Sequence, residues 1–222
     1  MKLCYVTDRK ALAGSAEEQA RLLLEKMESA ARAGVDWIQI REKDLSGREL
    51  AALVSEVLRR VPESCRVLVN DRLDVACGAG AGGVHLGEMS LPLEEAKRLL
   101  RERQLAGHFL LGASVHSVES ARQAGENGAD YVLFGPVFET PSKAAFGPPQ
   151  GLHRLTEVCR NVAIPVLAIG GITAKNARDC VAAGAAGIAA IRLFQDATDI
   201  MSLARAVREQ CEEPNRGSAQ RS

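Results

Sequence analysis

AGENGADYVLF, at residues 124–134, is the stretch of sequence that decides the fold. It has the pattern of a helix end, a glycine that terminates the helix, a small or acidic residue and then a short apolar strand. The same phrase recurs as AARAGVDWIQI at 30–40, ACGAGAGGVHL at 76–86 and VAAGAAGIAAI at 181–191. Four such junctions predict a chain made of repeated strand and helix units.

Eight short apolar segments are candidate strands. Each is nearly continuous in apolar character, which is typical of strands that are buried on both faces of a parallel sheet. In chain order they are 3–8, 36–41, 66–70, 83–87, 109–114, 131–136, 165–170 and 187–192.

Longer amphipathic segments lie between these strands and are predicted to be helices. The first, 15–34, begins with SAEE, in which Ser15 and Glu18 fit a capping box, and Gly34 ends it. The remaining predicted helices are 48–60, 73–80, 93–103, 117–128, 151–162, 174–184 and 199–212.

Eight strand–helix units of even length in 222 residues fit a single (β/α)8 TIM barrel, an α/β fold. A doubly wound open sheet is the competing architecture. Even unit lengths and the lack of an inserted second domain favour the closed barrel. We therefore predict one catalytic barrel domain over 1–212 and a polar, disordered tail over 213–222.

The charge balance narrows the range of functions. The chain has 28 Lys and Arg residues against 28 Asp and Glu residues, with 46% hydrophobic and 25% charged residues. Without a basic excess, a nucleic-acid partner held through phosphate contacts is not expected. The normal apolar fraction excludes a largely disordered chain.

The sequence shows no targeting signal and no paired cysteine motif, and both observations predict a cytoplasmic protein with reduced thiols. The six cysteines form no CxxC pair: Cys4, Cys65, Cys77, Cys159, Cys180 and Cys211. The start, MKLCYVTD, lacks the apolar run of a secretory signal. No stretch reaches the ~18 apolar residues of a membrane helix, so no membrane partner is expected.

Polar residues follow the predicted strands, at the end of a barrel where active sites lie. Gln39, Arg41 and Lys43 alternate at the end of the second strand, and period-two spacing directs them to one side. Because uncompensated charge is costly in a barrel interior, two cations there predict an anionic ligand. The alternative is a salt bridge to Glu42 or Asp44 in a solvated loop.

Asn70 and Asp71 directly follow the third strand. A carboxylate beside an amide suits Mg²⁺, which commonly uses one or two carboxylates and takes phosphate oxygens for the rest. The alternative is that this pair caps the short helix starting at Arg72.

Two further loops and one histidine add to this face. TPSK at 140–143 offers two hydroxyls and an ammonium to a phosphate, with an ordinary turn as the alternative. AIGGI at 168–172 brings backbone amides to the end of the seventh strand. His116 follows the fifth strand, whereas His85 within the fourth is predicted to be a core or lining residue. Together these groups favour phosphate-ester or pyrophosphate chemistry with a metal over acyl transfer or redox chemistry.

These residues also carry a family resemblance over most of 5–194. Eight segments resemble, in order and spacing, those of the thiamine phosphate synthase (thiamine-phosphate pyrophosphorylase) family: YVTD (5–8), QIREK (39–43), VNDRLDVA (69–76), GVHLGE (83–88), GASVHS (112–117), GADYVLFGPVFETPSK (128–143), PQGL (149–152) and AIGGI (168–172). The resemblance implies a (β/α)8 transferase of thiamine biosynthesis. Its implied reaction joins 4-amino-2-methyl-5-hydroxymethylpyrimidine diphosphate to 4-methyl-5-(2-hydroxyethyl)thiazole phosphate, or its carboxylated form. The implied products are thiamine phosphate and pyrophosphate, formed by a Mg²⁺-assisted dissociative mechanism.

The resemblance also assigns site residues. The implied substrate-binding set is Gln39, Arg41, Glu42, Lys43, Asn70, Ser114, Thr140, Pro141, Ser142, Lys143, Gly171, Ile191 and Arg192. Within that set, the implied catalytic residues are Arg41, Lys43, Ser114 and Lys143. Asp71 is implied to hold Mg²⁺, and the implied partners are small phosphorylated substrates, with the oligomeric state left open.

Two positions depart from the family pattern. Ser90 stands where the family usually has a second metal carboxylate, and Glu88 is a candidate substitute. Arg192 replaces a serine of the phosphate-binding turn, so that it either binds the phosphate or fills its site.

The departures keep two alternatives open. One is the related thiazole tautomerase, which isomerises a thiazole carboxylate phosphate and in which His116 would be the acid/base. Retention of Asp71 and Lys43 favours the synthase. The other alternative is a non-catalytic binder of thiamine precursors.

Overall fold

The structure is a computed structural model that describes residues 1–140 and 148–212. Its eight strands are parallel, each pairs with the next in sequence, and the last pairs with the first to close a barrel. The predicted (β/α)8 TIM barrel is confirmed, and closure rules out the open sheet. The predicted tail, 213–222, lies outside the described residues, so its boundary stays a prediction.

Each strand overlaps its predicted segment. The strands are β1 Lys2–Val6, β2 Trp37–Ile40, β3 Arg66–Asn70, β4 Gly83–Leu86, β5 Leu110–Val115, β6 Tyr131–Phe134, β7 Val166–Ile169 and β8 Gly187–Ala190.

Helices follow the strands and form the outer layer. They are α1 Ala16–Arg32, α2 Gly47–Arg60, α3 Leu73–Gly78, α4 Leu93–Glu102, α5 Val118–Glu126, α6 Gly151–Asn161, α7 Ala177–Ala182, α8 Arg192–Gln195 and α9 Ile200–Glu212. The capping box of Ser15 and Glu18 is present at the start of α1. The single turn α8 was not predicted from the sequence. None of the helices in the described parts of the chain is long and apolar enough to span a membrane.

The four recurring junctions share one backbone closure. Their glycines, Gly34, Gly80, Gly128 and Gly184, all have φ between +74° and +103°, a region that strains other residues. At each junction the next amide donates to the carbonyl five residues earlier, at 2.9–3.1 Å. This is a Schellman closure, and it turns each helix back into the next strand.

The barrel axis is filled by side chains rather than open. The apolar interior consists of Cys4, Val6, Trp37, Leu68, Tyr131, Leu133, Leu167 and Ala189. The rings of Trp37 and Tyr131 lie 4.7 Å apart between centroids. This apolar layer closes the barrel interior beneath the carboxyl ends of the strands.

Candidate active site

Four polar side chains line the barrel interior on neighbouring strands. They are Gln39 on β2, Asn70 on β3, His85 on β4 and Ser114 on β5. Each lies two residues beyond an apolar or glycine interior position of its strand, so the alternation of the strand directs it inward. Gln39 Nε2 donates to Asn70 Oδ1 at 2.8 Å, and His85 Nε2 lies 2.9 Å from Ser114 Oγ. The structure thus brings together three residues that the resemblance assigns to one ligand, Gln39, Asn70 and Ser114, with His85 between them on β4.

Gln39 carries an unused acceptor. The residue is 2% exposed, and its carbonyl oxygen Oε1 has no hydrogen-bond partner among the described residues. A buried acceptor without a donor is destabilising, so such groups are rare in folded proteins. The oxygen therefore suits an N–H or O–H donor on a ligand.

Asp71, next to Asn70 in the chain, has a left-handed backbone conformation. Its φ is +63°, in the left-handed region that few non-glycine residues adopt. Its Oδ2 accepts from Asn70 Nδ2 at 2.6 Å, and its Oδ1 accepts from the Gly87 amide at 3.1 Å and from the Ser90 hydroxyl. The capping alternative is wrong, because Arg72 occupies the N-cap of α3 and no side chain caps it.

The donor set around Asp71 fits a magnesium ion of the kind that relies on its substrate. One carboxylate and one hydroxyl face each other, and Mg²⁺ commonly completes such a set with water and phosphate oxygens. No group of three or more His, Cys, Asp or Glu side chains gathers for a metal within 1–140 and 148–212. Glu88 lies elsewhere, 3.8 Å from His116 Nε2, with a side chain that is 62% exposed.

Arg41 and Lys43 follow β2 in a short loop. The strand ends at Ile40, so its alternation positions Gln39 but does not extend to Lys43. Arg41 is half-buried and Lys43 is exposed.

A buried acidic residue fixes this loop from behind. Glu42 is 5% exposed, and it accepts from Thr7 Oγ1 at 2.6 Å and from Arg9 Nη1 at 2.9 Å. Thr7 Oγ1 in turn accepts from the Arg41 amide at 2.9 Å. Glu42 therefore anchors the loop to the segment that follows β1, and its implied contact with substrate stays a prediction.

Arg9 binds both carboxylates of the loop, and Lys10 supplies the second positive charge at Asp44. Arg9 binds Asp44 through two hydrogen bonds of 2.7 Å as well as binding Glu42. This guanidinium, helped by Lys10, holds the pKa of Asp44 well below its usual range. The predicted alternative of a salt bridge from Arg41 or Lys43 to these carboxylates is therefore wrong.

His85 is neutral at physiological pH. Burial lowers its pKa to about 4; the nearby Asp71 opposes this shift, and Arg41 adds to it. Its ring lies between Tyr131 Oη, 3.2 Å from Nδ1, and Ser114 Oγ. The expectation of a lining residue fits this position.

Burial of neutral His85 predicts a dependence of stability on pH. The unfolded chain takes up a proton near pH 6.5 and the folded chain only near pH 4. The contribution of neutral His85 to the free energy of unfolding is fully present above about pH 6.5. It is lost as the pH falls towards 4, which lowers the free energy of unfolding by up to roughly 3 kcal/mol. Urea unfolding between pH 4 and 7 measures it. His85→Gln is expected to show a shallower loss, and an equal slope would contradict the assignment.

His116 is turned away from the interior polar residues. Its Nδ1 contacts the Gly135 carbonyl, and its ring lines a cavity of about 290 Å³ between α5 and α6. Arg154 and Glu157 line the same cavity. The structure therefore does not bring His116 to Ser114.

The turn after β7 is braced by one side chain. Asn176 Nδ2 donates to the Gly171 carbonyl at 3.0 Å, and its Oδ1 accepts from the Thr173 amide at 2.7 Å. Gly171 has φ of +66°, and a Cβ there would lie 2.4 Å from the Glu139 carbonyl. The brace also explains why α7 begins at Ala177 rather than at the predicted residue 174.

The last predicted contacts lie after β8 and after β6. Ile191 is the N-cap of α8, and the Arg192 side chain is 71% exposed and bound to Asp196 at 2.9 Å. Arg192 therefore does not fill the expected phosphate site. Thr140 is half-buried. Three further predicted site residues, Pro141, Ser142 and Lys143, lie outside the described residues.

The family model of thiamine monophosphate synthase matches residues 3–194. The chain belongs to this family. A thiamine-phosphate synthase of Methanoculleus marisnigri is 46% identical over 182 residues, covering 81% of this chain and 83% of the relative. One of Roseiflexus castenholzii is 42% identical over 204 residues, covering 91% of this chain and 84% of the relative.

A solved structure agrees with these sequence matches. The thiamine phosphate pyrophosphorylase from Pyrococcus furiosus has a TM-score of 0.80 and 33% identity, and the alignment covers 95% of each chain. The resemblance seen in the sequence is confirmed, and this member of the thiamine monophosphate synthase family is an enzyme.

Sequence reasoning missed three supporting residues of this family member: Thr7, Arg9 and Tyr131. Tyr131 had no signal, because its pairing with Gly112 across β5 and β6 is set by the strand register. Thr7 and Arg9 had none, since their partner Glu42 lies more than 30 residues away in the chain.

Proposed function

We propose that this enzyme condenses 4-amino-2-methyl-5-hydroxymethylpyrimidine diphosphate with 4-methyl-5-(2-hydroxyethyl)thiazole phosphate, or its carboxylated form. The products are thiamine phosphate and pyrophosphate. The observation that supports this is a cationic loop whose own carboxylates are paired with Arg9 and Lys10, next to a buried acceptor on Gln39. Its charge is thereby left for a diphosphate, and the acceptor suits an aminopyrimidine.

The described residues have separate roles towards the two parts of the pyrimidine diphosphate, the ring and the diphosphate. Gln39 Oε1 accepts from the amino group and orients the ring. Arg41 and Lys43 bind the diphosphate and stabilise the charge that develops as pyrophosphate leaves. Thiazole attack on the resulting pyrimidine-methyl cation needs no protein nucleophile. The thiazole phosphate is bound by Thr140 and by the turns at Gly171 and at 191–192.

Asp71, with the Ser90 hydroxyl, would hold Mg²⁺ beside the diphosphate. When bound, the ion supplies Lewis-acid stabilisation of phosphate charge. A cytoplasmic location is part of the proposal and is supported by the six cysteine thiols, all of which are free.

The direct test mixes the two phosphorylated substrates with the enzyme and Mg²⁺. Release of pyrophosphate together with thiamine phosphate is the expected result, and no release above background would reject the proposal. Tight binding of both substrates without turnover would indicate the non-catalytic binder. Isomerisation of the thiazole carboxylate phosphate in EDTA, abolished by His116→Ala, would indicate the tautomerase.

Glu42→Gln is expected to lower kcat/KM by roughly 10- to 100-fold, because Arg41 and Lys43 lose their fixed position. Steady-state kinetics over both substrates measures the effect. Glu49→Gln, in the exposed capping box of α2, is the matched control and should leave kcat/KM unchanged. Equal kinetics for both variants would show that the Glu42 anchor does not position the cations.

Ser90→Asp is expected to tighten Mg²⁺ binding by about tenfold, since it adds a second carboxylate in contact with Asp71. The apo variant should melt at a lower temperature than wild type because the two carboxylates repel. Thermal melting in EDTA and across a Mg²⁺ titration measures both effects. Ser90→Asn is the uncharged control, and a gain in affinity for it would contradict the explanation.

A further inference from the structure

A buried tyrosine and a buried histidine lie in line behind Ser114. Tyr131 Oη lies 3.2 Å from His85 Nδ1, and His85 Nε2 lies 2.9 Å from Ser114 Oγ. Tyr131 is 1% exposed and His85 is 2% exposed, whereas Ser114 is half-buried. These three side chains form one hydrogen-bonded line from the barrel axis to the site, called the Tyr131–His85–Ser114 line below.

The spacing of Ser114 and His85 alone would suit a nucleophile and its general base. A base must accept the serine proton, so Nε2 would have to be unprotonated and Nδ1 protonated. Which nitrogen carries the proton therefore decides what Ser114 can do.

Tyr131 decides between the two arrangements. If Nδ1 were protonated it would donate to Tyr131, and the buried phenol proton would have no acceptor in the described parts of the chain. If Nε2 is protonated, Tyr131 donates to Nδ1, Nε2 donates to Ser114 and each buried donor is used. Since a buried donor without an acceptor is destabilising, the second arrangement is favoured.

The fold makes room for this arrangement at one position. Gly112 pairs with Tyr131 across β5 and β6, and a Cβ at Gly112 would lie 2.1 Å from Tyr131 Cζ and 2.5 Å from its hydroxyl. Any larger residue would displace the phenol from His85. The absence of a side chain at Gly112 thus supports the hydrogen bond.

We propose that Tyr131 and His85 are positioning residues that commit Ser114 to donate its hydroxyl proton to the substrate. Because Ser114 Oγ accepts from Nε2, its own proton is directed to an acceptor in the site, of which the diphosphate oxygens are the chemical match. Ser114 is then neither a nucleophile nor a base. The role of Ser114 towards the diphosphate rests on the proposed function. The direction of the hydrogen bonds, with Tyr131 donating to His85 and His85 donating to Ser114, does not rest on it.

The direction of the line is tested by NMR of the full chain labelled with ¹⁵N-histidine. Long-range ¹H–¹⁵N correlations report which ring nitrogen carries the proton. The chain has four histidines, and the His85 signals are those lost in His85→Gln or shifted in Ser114→Ala. A neutral ring with its proton on Nε2 is expected near pH 7. A proton on Nδ1, or on both nitrogens, would overturn the proposal.

A pair of tyrosine variants tests the consequence for catalysis. Tyr131→Phe keeps the ring and should lower kcat at least about tenfold while changing KM for the diphosphate less than about threefold. Tyr5→Phe is the matched control, because Tyr5 is also fully buried and loses one hydrogen bond, to Gln195 at 3.3 Å. Its kinetics and its His85 tautomer should equal those of wild type.

Two outcomes of the kinetics would overturn the proposal. One is unchanged kcat in Tyr131→Phe, and the other is an equal loss in both tyrosine variants. A wild-type enzyme that forms no thiamine phosphate would instead reject the proposed function, and the NMR result would still decide the direction of the line.

Discussion

An Asp71→Asn variant is expected to turn over about 1,000-fold more slowly than wild type, because it removes the charge that holds a divalent cation against the diphosphate. Within the described residues, Asp71 accepts at both oxygens, from Asn70 Nδ2 at Oδ2 and from the Gly87 amide and the Ser90 hydroxyl at Oδ1. An asparagine keeps one of these two acceptors, and it tolerates the φ of +63° at this position. A small loss in stability, about 1 kcal/mol, should therefore accompany the much larger loss in rate.

Measuring kcat as a function of Mg²⁺ concentration checks this expectation, with urea unfolding to show that the fold is intact. Asp74→Asn is the matched control, because Asp74 lies three residues away and pairs with Arg72 on the surface of α3. It should retain wild-type kinetics. An Asp71→Asn enzyme that kept more than about a tenth of wild-type activity would remove Asp71 from the metal assignment.

Gly187→Ala is expected to destabilise the protein by about 3 kcal/mol. Gly187 begins β8 and pairs with Lys2 of β1, where the barrel closes. A Cβ at this position would lie 2.1 Å from the Lys2 carbonyl oxygen and 2.8 Å from the Lys2 carbonyl carbon. Those are backbone atoms of a paired strand, so relief requires the closing strands to separate.

Gly78→Ala is the control for this prediction. Gly78 ends α3, its Cβ would meet nothing within 4 Å, and its φ lies outside the left-handed region. Alanine there should be neutral or stabilise the fold by up to about 1 kcal/mol, since it restricts the unfolded chain. Chemical unfolding followed by circular dichroism compares the two, and equal stabilities would contradict the importance of close packing at the closure.

The architecture could be predicted because its determinants are local. A junction such as 124–134 contains its own helix end, glycine turn and strand start, so no distant residue is needed to interpret it. Period-two alternation likewise directed Gln39 into the interior from its own strand alone. Where the strand ended, at Ile40, this reasoning ended too.

The supporting contacts of the site could not be predicted in this way. Arg9, rather than either cation of the neighbouring loop, neutralises Glu42, and only the parallel pairing of β1 with β2 brings them together. In the same way, the line from Tyr131 to Ser114 passes through β4, β5 and β6. Hydrogen-bond partners on different strands depend on register and rotamer, neither of which has a signature in the spacing of residues.

The four Schellman closures have a consequence for how this barrel can change over time. They repeat one local solution where helices turn back into strands, using the backbone and a glycine at each junction. The proposed chemistry depends instead on loops at the opposite ends of the strands, and no two of those loops are alike. Folding and catalysis thus depend on separate sets of residues. Substitutions in the loops after the strands can change substrate specificity while the glycine junctions before the strands still direct the chain into the barrel.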